Sequence, residues 1–206
     1  MKSVLSSLSN FIENILDEEE EFAGYRSVIK KIESPVKDFV REKTVLEDDE
    51  VKLLLDTLVD RGEIMKAAVV ALAAYSGARK SELPRFKLSY FDKENVIYGS
   101  LYKTPEKIKT KGRGKGKFIN LYTLKNEFDP YLNLWIKERE NLGIECEWLF
   151  PDVGMIGKSN VIEDPLRVST MDNWVDEFSK IVNKPWYWHL NRHYRTTLLL
   201  KKNIPS

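Results

Sequence analysis

Ile64-Met-Lys-Ala67-Ala-Val-Val70-Ala-Leu72-Ala-Ala-Tyr75-Ser-Gly77-Ala-Arg79-Lys-Ser-Glu82-Leu83 is the stretch on which the reading of this chain turns. From Ile64 to Tyr75 it is apolar on nearly every side of a helical wheel. Such a helix has no face for water and belongs in a core. Ser76-Gly77-Ala78 then turns the chain, and Arg79 follows at once. An arginine placed directly after a buried helix and a tight turn is held rigidly, with its guanidinium at the domain surface. The alternative is an ordinary surface arginine, and the rest of the chain has to decide between them.

Working toward the N-terminus, Glu47 to Val59 reads as a second helix. Val51, Leu54, Leu55 and Leu58 share one face, and Gly62 stops it. Residues 34–46 read as a linker, since Ser34-Pro35 breaks helix: the residue before proline is pushed out of the α region. Residues 1–33 read as a separate helical segment. Val4, Leu5, Leu8, Phe11, Ile12, Ile15 and Leu16 recur at helical spacing before the acidic run Asp17–Glu21. Toward the C-terminus the pattern changes to strands. Val96-Ile97-Tyr98 predicts one. Lys107–Lys111 and Lys117–Tyr122 predict two more, joined by the glycine-studded Gly112-Arg113-Gly114-Lys115-Gly116, a hairpin pattern. Helices are predicted again over Pro130–Leu142, Thr170–Val182 and His189–Lys202. Helices around a small antiparallel sheet make an α+β domain. No internal repeat or low-complexity tract is present.

Hydrophobic residues make up 42% of the 206 and charged residues 32%, enough apolar material for a normal core. No apolar run approaches the ~18 residues that a membrane span needs. The N-terminal stretch lacks a secretory pattern, and the single Cys146 has neither a disulfide partner nor neighbours at metal-ligand spacing. A reducing, cytoplasmic setting is the expectation. The net charge of +1 conceals a division: residues 1–60 carry 8 Lys/Arg against 15 Asp/Glu, so the remainder carries 25 against 17. A basic body behind an acidic head is compatible with nucleic-acid binding, as it is with a solvated charged surface.

Two further segments sharpen the choice. The 103–117 region holds Lys103, Lys107, Lys109, Lys111, Arg113, Lys115 and Lys117 against one acid, Glu106. Like charges crowded on a hairpin repel one another unless an anion lies between them, and DNA phosphate is the obvious one. Lysines guarding a sheet edge are the alternative. Near the C-terminus stands His189-Leu-Asn-Arg192-His193-Tyr194-Arg195, which contains both histidines of the chain. At i and i+3, His189 and Arg192 share a helix face. Trp186, Tyr187 and Trp188, just before it, read as core.

Arginine after an apolar helix, lysine on a hairpin, then His-x-x-Arg, in that order, resembles the tyrosine recombinases, the phage-integrase family. Tyr75-Ser-Gly-Ala-Arg79-Lys-Ser-Glu82-Leu83 resembles the family's first arginine box, with Asp92 where that box leads into the first strand. Lys111 matches the hairpin lysine, and His189 with Arg192 the second box. The resemblance runs from about Glu47 to Ser206. It implies a mainly helical α+β catalytic domain over 47–206, with 1–33 as the end of a helical core-binding domain and 34–46 as the linker. Asn191 and Arg195 depart from the pattern, standing where the second box carries apolar residues. A larger departure is the nucleophile: only 14 residues follow Arg192, and their one tyrosine, Tyr194, lies too near to it.

The chemistry that the resemblance implies is site-specific DNA recombination through a 3′-phosphotyrosine intermediate, with no metal or cofactor. Arg79 and Arg192 would clamp the phosphate, since each guanidinium binds two oxygens and stays charged. Lys111 would protonate the leaving 5′-oxygen. His189 would bond the phosphate or handle the nucleophile's proton, and Glu82 would hold the basic groups from behind. Lys103, Lys107, Lys109, Arg113, Lys115 and Lys117 would contact DNA. The implied partners are duplex DNA and other protomers in a tetrameric synapse. A non-cleaving DNA-binding remnant of a prophage integrase, a topoisomerase-like enzyme with the same chemistry and a helical interaction protein are the competing readings.

Overall fold

The computed structural model describes residues 44–110, 117–153 and 164–201. The helical segment expected over 1–33, most of the 34–46 linker, and Lys111, Arg113 and Lys115 lie outside the described residues. The described elements are helices α1 (Asp48–Asp60), α2 (Ile64–Ser76), α3 (Lys125–Asn141), α4 (Val168–Asp172), α5 (Val175–Ile181) and α6 (His189–Lys201), with five short strands between α2 and α3. The fold is the α+β class expected, mainly helical with small antiparallel sheets.

Helix α2 is the centre of the core. Ala67 through Ala74 are all buried, and α1, α3 and α6 pack around it. Its run of alanines lets the neighbouring backbones approach closely, and Val69, Val70 and Leu72 supply the volume. Helix α1 contributes Val51, Leu54, Leu55 and Leu58, the face that its periodicity predicted. It starts with a reciprocal cap in which the Glu47 amide donates to the Glu50 carboxylate at 2.8 Å. Leu46, within the expected linker, is buried with them. A second apolar layer is aromatic. Phe91 packs on Tyr102 and Phe128 at ring-centroid distances of 5.2 and 5.0 Å. Phe178 and Trp188 each meet Trp186 at 4.9 Å, which seats the start of α6. Trp186 and Trp188 are core, as read, whereas Tyr187 between them is exposed.

The strands depart from the expectation of a single sheet. Strands β1 (Val96–Ile97), β2 (Leu101–Lys103) and β5 (Tyr122–Leu124) form one antiparallel sheet in the order β1-β2-β5, and β3 (Ile108–Thr110) pairs only with β4 (Lys117–Ile119). The predicted strand Lys117–Tyr122 therefore splits in two, and β2 was not predicted. The split lies at Thr104 and Leu121. The Thr104 amide donates to the Leu121 carbonyl at 3.0 Å, the Leu121 amide donates to Thr104 Oγ1 at 3.1 Å, and Asn120 Nδ2 donates to the Thr104 carbonyl at 2.6 Å. Side chains thus take over where the ladder stops. Tyr98 is not in a strand: at φ 52° it forms the left-handed turn between β1 and β2. Lys103 sits in β2, so it does not belong to the lysine hairpin.

Two helices also differ in their bounds. Helix α3 starts at Lys125 instead of Pro130. The five residues before the proline are already helical, and a Lys125–Asp129 ion pair one turn apart braces them. The predicted helix 170–182 is two short ones, α4 and α5, because the chain turns at Asn173-Trp174 to bring Trp174 against Phe178 and Trp188.

Gly77 ends α2 in the left-handed conformation, φ 67°, and a Cβ placed there would lie 3.0 Å from Arg195 Cγ. Gly62, at φ 72°, has open space instead. Gly62→Ala is expected to cost roughly 1 kcal/mol of backbone strain alone, and Gly77→Ala roughly 1–2 kcal/mol more, because a packed side chain must move. Urea denaturation of the two variants reads the difference, and equal losses would show that the contact with Arg195 is slack.

Candidate functional site

The end of α2 and the turn after it build the first part of the site. The Gly77 amide donates to the Ala73 carbonyl at 3.0 Å, closing the helix. Ser76 Oγ then accepts from the Ala78 amide at 3.1 Å, which fixes the direction of the exit. At Arg79 the backbone curls over Glu82. The Glu82 carboxylate accepts the Arg79 amide at 2.7 Å and Arg79 Nη1 at 2.9 Å. Glu82 has no exposed surface, whereas the Arg79 side chain is 38% exposed. The acid is therefore a fixed anchor beneath the arginine and not a solvated helix residue. The part-exposed Arg79 guanidinium is bonded to Glu82 through Nη1.

Helix α6 brings the second part to the first. Arg192 Nη1 donates to the Gly77 carbonyl at 3.3 Å across 115 positions of sequence. The backbone turn that positions Arg79 thus also receives Arg192. His189 lies one turn earlier on α6, its ring edge-on to that of His193 at 4.7 Å. Arg79, His189 and Arg192 line one open cleft of about 790 Å³. Burial holds the His189 pKa below its usual 6.5, and the positive fields of His193, Arg192 and Arg79 push in the same direction. Both influences favour the neutral imidazole.

The lysines divide. Lys109, in β3, lines the same cleft. Lys107 and Lys117 are exposed on the flanks of the hairpin but do not line it, and Lys103 lines a different cleft. Lys111 is two residues beyond Lys109. Among the described residues no group of His, Cys, Asp and Glu side chains is arranged to hold a metal ion, and no helix is long and apolar enough to cross a membrane.

Several residues of the cleft were not singled out in the sequence. Arg85 Nη1 donates to the Lys109 carbonyl at 2.9 Å and so ties the hairpin to the turn that carries Glu82. Lys80 pairs with Asp172 at 2.6 Å on the rim. Tyr187, 42% exposed, lines the wall. No spacing rule could have found Arg85 or Asp172, because their partners are defined only by the fold. Asn191 and Arg195, the two departures from the apolar pattern of the second box, are both buried. Asn191 Oδ1 and Arg195 Nη1 have no hydrogen-bond partner among the described residues. Tyr194 is also buried, and burial together with the nearby Asp48 carboxylate raises its pKa far above the ordinary tyrosine value.

Comparison with known proteins gives one curated relative at 31% identity over 150 residues, the SPbeta prophage-derived recombinase-like protein YomM of Bacillus subtilis (strain 168). The match covers 72% of this chain and 44% of the relative, so this chain spans less than half of that protein's length. Among solved structures the chain resembles XerA recombinase, with a TM-score of 0.58 and 21% identity over 84% of this chain and 55% of that one. It also resembles the Tn1549 transposon integrase in complex with circular intermediate DNA, with a TM-score of 0.60 and 16% identity over 98% of this chain and 66% of that one. XerH site-specific recombinase bound to palindromic difH substrate aligns with a TM-score of 0.55 and 18% identity, over 77% of this chain and 42% of that one. These structural likenesses establish the shared fold. No family model matches the chain.

If the two arginines depress His189 as the geometry indicates, Arg79→Gln and Arg192→Gln each move its pKa upward toward 6.5, as read by NMR titration of the imidazole. The sign for stability follows. The folded pKa lies below the unfolded one, so the unfolded chain binds more protons between them, and stability falls as pH drops below 6.5. A His189→Gln variant is expected to lose that part of the acid sensitivity. An unchanged pH profile would remove His189 as its source.

Proposed function

Because the chain belongs to the tyrosine recombinase and integrase family, as a homologue of a prophage recombinase-like protein with the recombinase fold, we propose that it binds duplex DNA and activates one phosphodiester for strand cleavage and rejoining. The observation that carries this reading is the convergence of Arg79, His189 and Arg192 on one cleft. The buried Glu82 carboxylate bonded to Arg79 supports it.

In this proposal Arg79 and Arg192 bind the non-bridging oxygens of the scissile phosphate. Each guanidinium presents a planar pair of donors and keeps its charge at all relevant pH. Preset positive charge at a phosphoryl centre is worth roughly 10²-fold or more in rate per group, because it costs no reorganisation when charge develops. His189, neutral at rest, takes the proton of an attacking tyrosine or bonds a phosphate oxygen. Lys111 is assigned to the leaving 5′-oxygen, and Arg85 steadies the strand that leads to it. Rejoining runs the same steps backward, and the phosphotyrosine bond conserves the energy of the one broken.

Neither tyrosine near the cleft is assigned as the nucleophile. Tyr194 is buried with its hydroxyl toward Asp48, and Tyr187 precedes His189, on the wrong side of the second box. The second reading is that the chain occupies DNA without cutting it. Joined to a segment that supplies the tyrosine, the protein is expected to form covalent protein–DNA complexes visible on denaturing gels. Lys111→Ala is expected to keep most of the binding and lose the cleavage. Cleavage at a near-unchanged rate would take the acid role from Lys111, and no covalent complex with any supplied tyrosine would favour the second reading.

Lys107, Lys109 and Lys117 are assigned to DNA phosphates. Fluorescence anisotropy with a labelled duplex at several salt concentrations tests this. Each lysine changed to alanine is expected to reduce the slope of log affinity against log salt by roughly 0.9. Binding that ignores salt would overturn the assignment to DNA.

A further inference from the structure

Arg192 lines a second cleft as well, of about 930 Å³, between α6 and the small sheets. Its walls are largely apolar, with Leu101, Leu121 and Leu199 among them, and Tyr98 and Tyr122 line it as exposed side chains, Tyr98 at 90% exposure. Its charged groups are Lys103, Arg192 and Arg195, and no Asp or Glu is among the described residues that line it. Arg195 is the unusual member. It is 8% exposed, yet its Nη1 has no hydrogen-bond partner among the described residues. Burial lowers its pKa to about 10, against the opposing field of Glu127. A buried guanidinium donor left unmade is costly, and a carboxylate hydrogen-bonded to it would remove the cost.

We propose that this cleft binds a protein segment that presents a side-chain carboxylate among apolar residues. The carboxylate pairs with Arg195, and the apolar side chains cover Leu199, Tyr98 and Tyr122. Charge complementarity sets the polarity of the occupant, since the described lining carries three cations and no acid. The depth of Arg195 sets its class. Phosphates on the outside of a duplex are met by exposed cations such as Lys107, Lys109 and Lys117, whereas Arg195, 8% exposed in a cleft that Leu101, Leu121 and Leu199 also line, favours a narrow group on a side-chain stem. Buried arginines ringed by aromatic side chains are also where binding energy concentrates in protein interfaces. Among the described lining residues the site shares only Arg192 with the cleft that holds Arg79 and His189, and the proposal, which turns on Arg195, stands whether or not the DNA chemistry does.

The probes are two short capped peptides, acetyl-Leu-Glu-Leu-Leu-amide and its Gln counterpart, titrated into the whole chain. The readout is the Nε–Hε NMR signal of Arg195, assigned by its loss in Arg195→Met. The Glu peptide is expected to shift that signal saturably at millimolar concentration. The Gln peptide is expected to bind roughly tenfold more weakly, as loss of a charge-assisted pair implies, and Arg195→Met to abolish the difference between them. Replacing a buried unpaired cation by an apolar side chain of similar length should keep the protein folded. Should that variant unfold, the contrast between the Glu and Gln peptides on the unaltered chain decides alone. Equal binding of the two peptides, or no saturable shift from either, overturns the proposal. So does duplex DNA that moves the Arg195 signal and displaces the Glu peptide, since the cleft would then belong to nucleic acid.

Discussion

A carboxylate with no exposed surface survives inside a protein only if its charge is met, and Glu82 is met by Arg79 twice, once by the amide and once by the guanidinium. Burying an ion costs several kcal/mol, which attraction repays only with good geometry. The geometry here is set by α2: its apolar body fixes the helix in the core, Gly77 ends it, and the next turn places Arg79 over Glu82. An arginine held in this manner has lost its conformational freedom before any ligand arrives. That is the condition under which a guanidinium stabilises developing charge without reorganising.

Helix α6 depends on the same few atoms. Arg192 bonds the Gly77 carbonyl, and the stem of Arg195 packs where a glycine Cβ would be. Gly77 therefore serves the left-handed turn, the approach of α6 and the placement of Arg192 together. The tryptophans before α6 anchor its start from the opposite side, so His189 enters the cleft from a well-packed base. Two clefts result, divided by Arg192. One gathers exposed cations around Arg79 and His189. The other is apolar, with a buried cation at Arg195. Their different chemistry follows from how far each guanidinium lies from water.

The periodicity of α1, the all-apolar α2, the turn at Gly77 and the His189-x-x-Arg192 spacing were legible in the sequence because each is a local pattern. Helix α3 was read too short because proline usually opens a helix, and here the preceding turn is braced by Lys125 and Asp129. The strands were read as one sheet because alternation reveals strand character but not strand partners. The handover at Thr104 and Leu121 is made by side chains from positions 17 apart. Lys103 is near the hairpin in sequence but pairs with Tyr122 in the other sheet, because adjacency in sequence does not fix adjacency in space.

By itself the sequence determined the class of fold, the order of its basic groups and the residue types able to bind a phosphate. These are properties of composition and short-range spacing, set by helix period, turn chemistry and charge. Tertiary structure decided which of those groups meet. It put Arg79 and Arg192 against a shared turn, hid Glu82 while leaving Arg79 open, and moved Lys103 to another cleft. It also buried Arg195 with its Nη1 unbonded among the described residues. The physical reason is that pairing, burial and desolvation depend on distances between residues far apart in the chain, and those distances exist only once the core around α2 has closed.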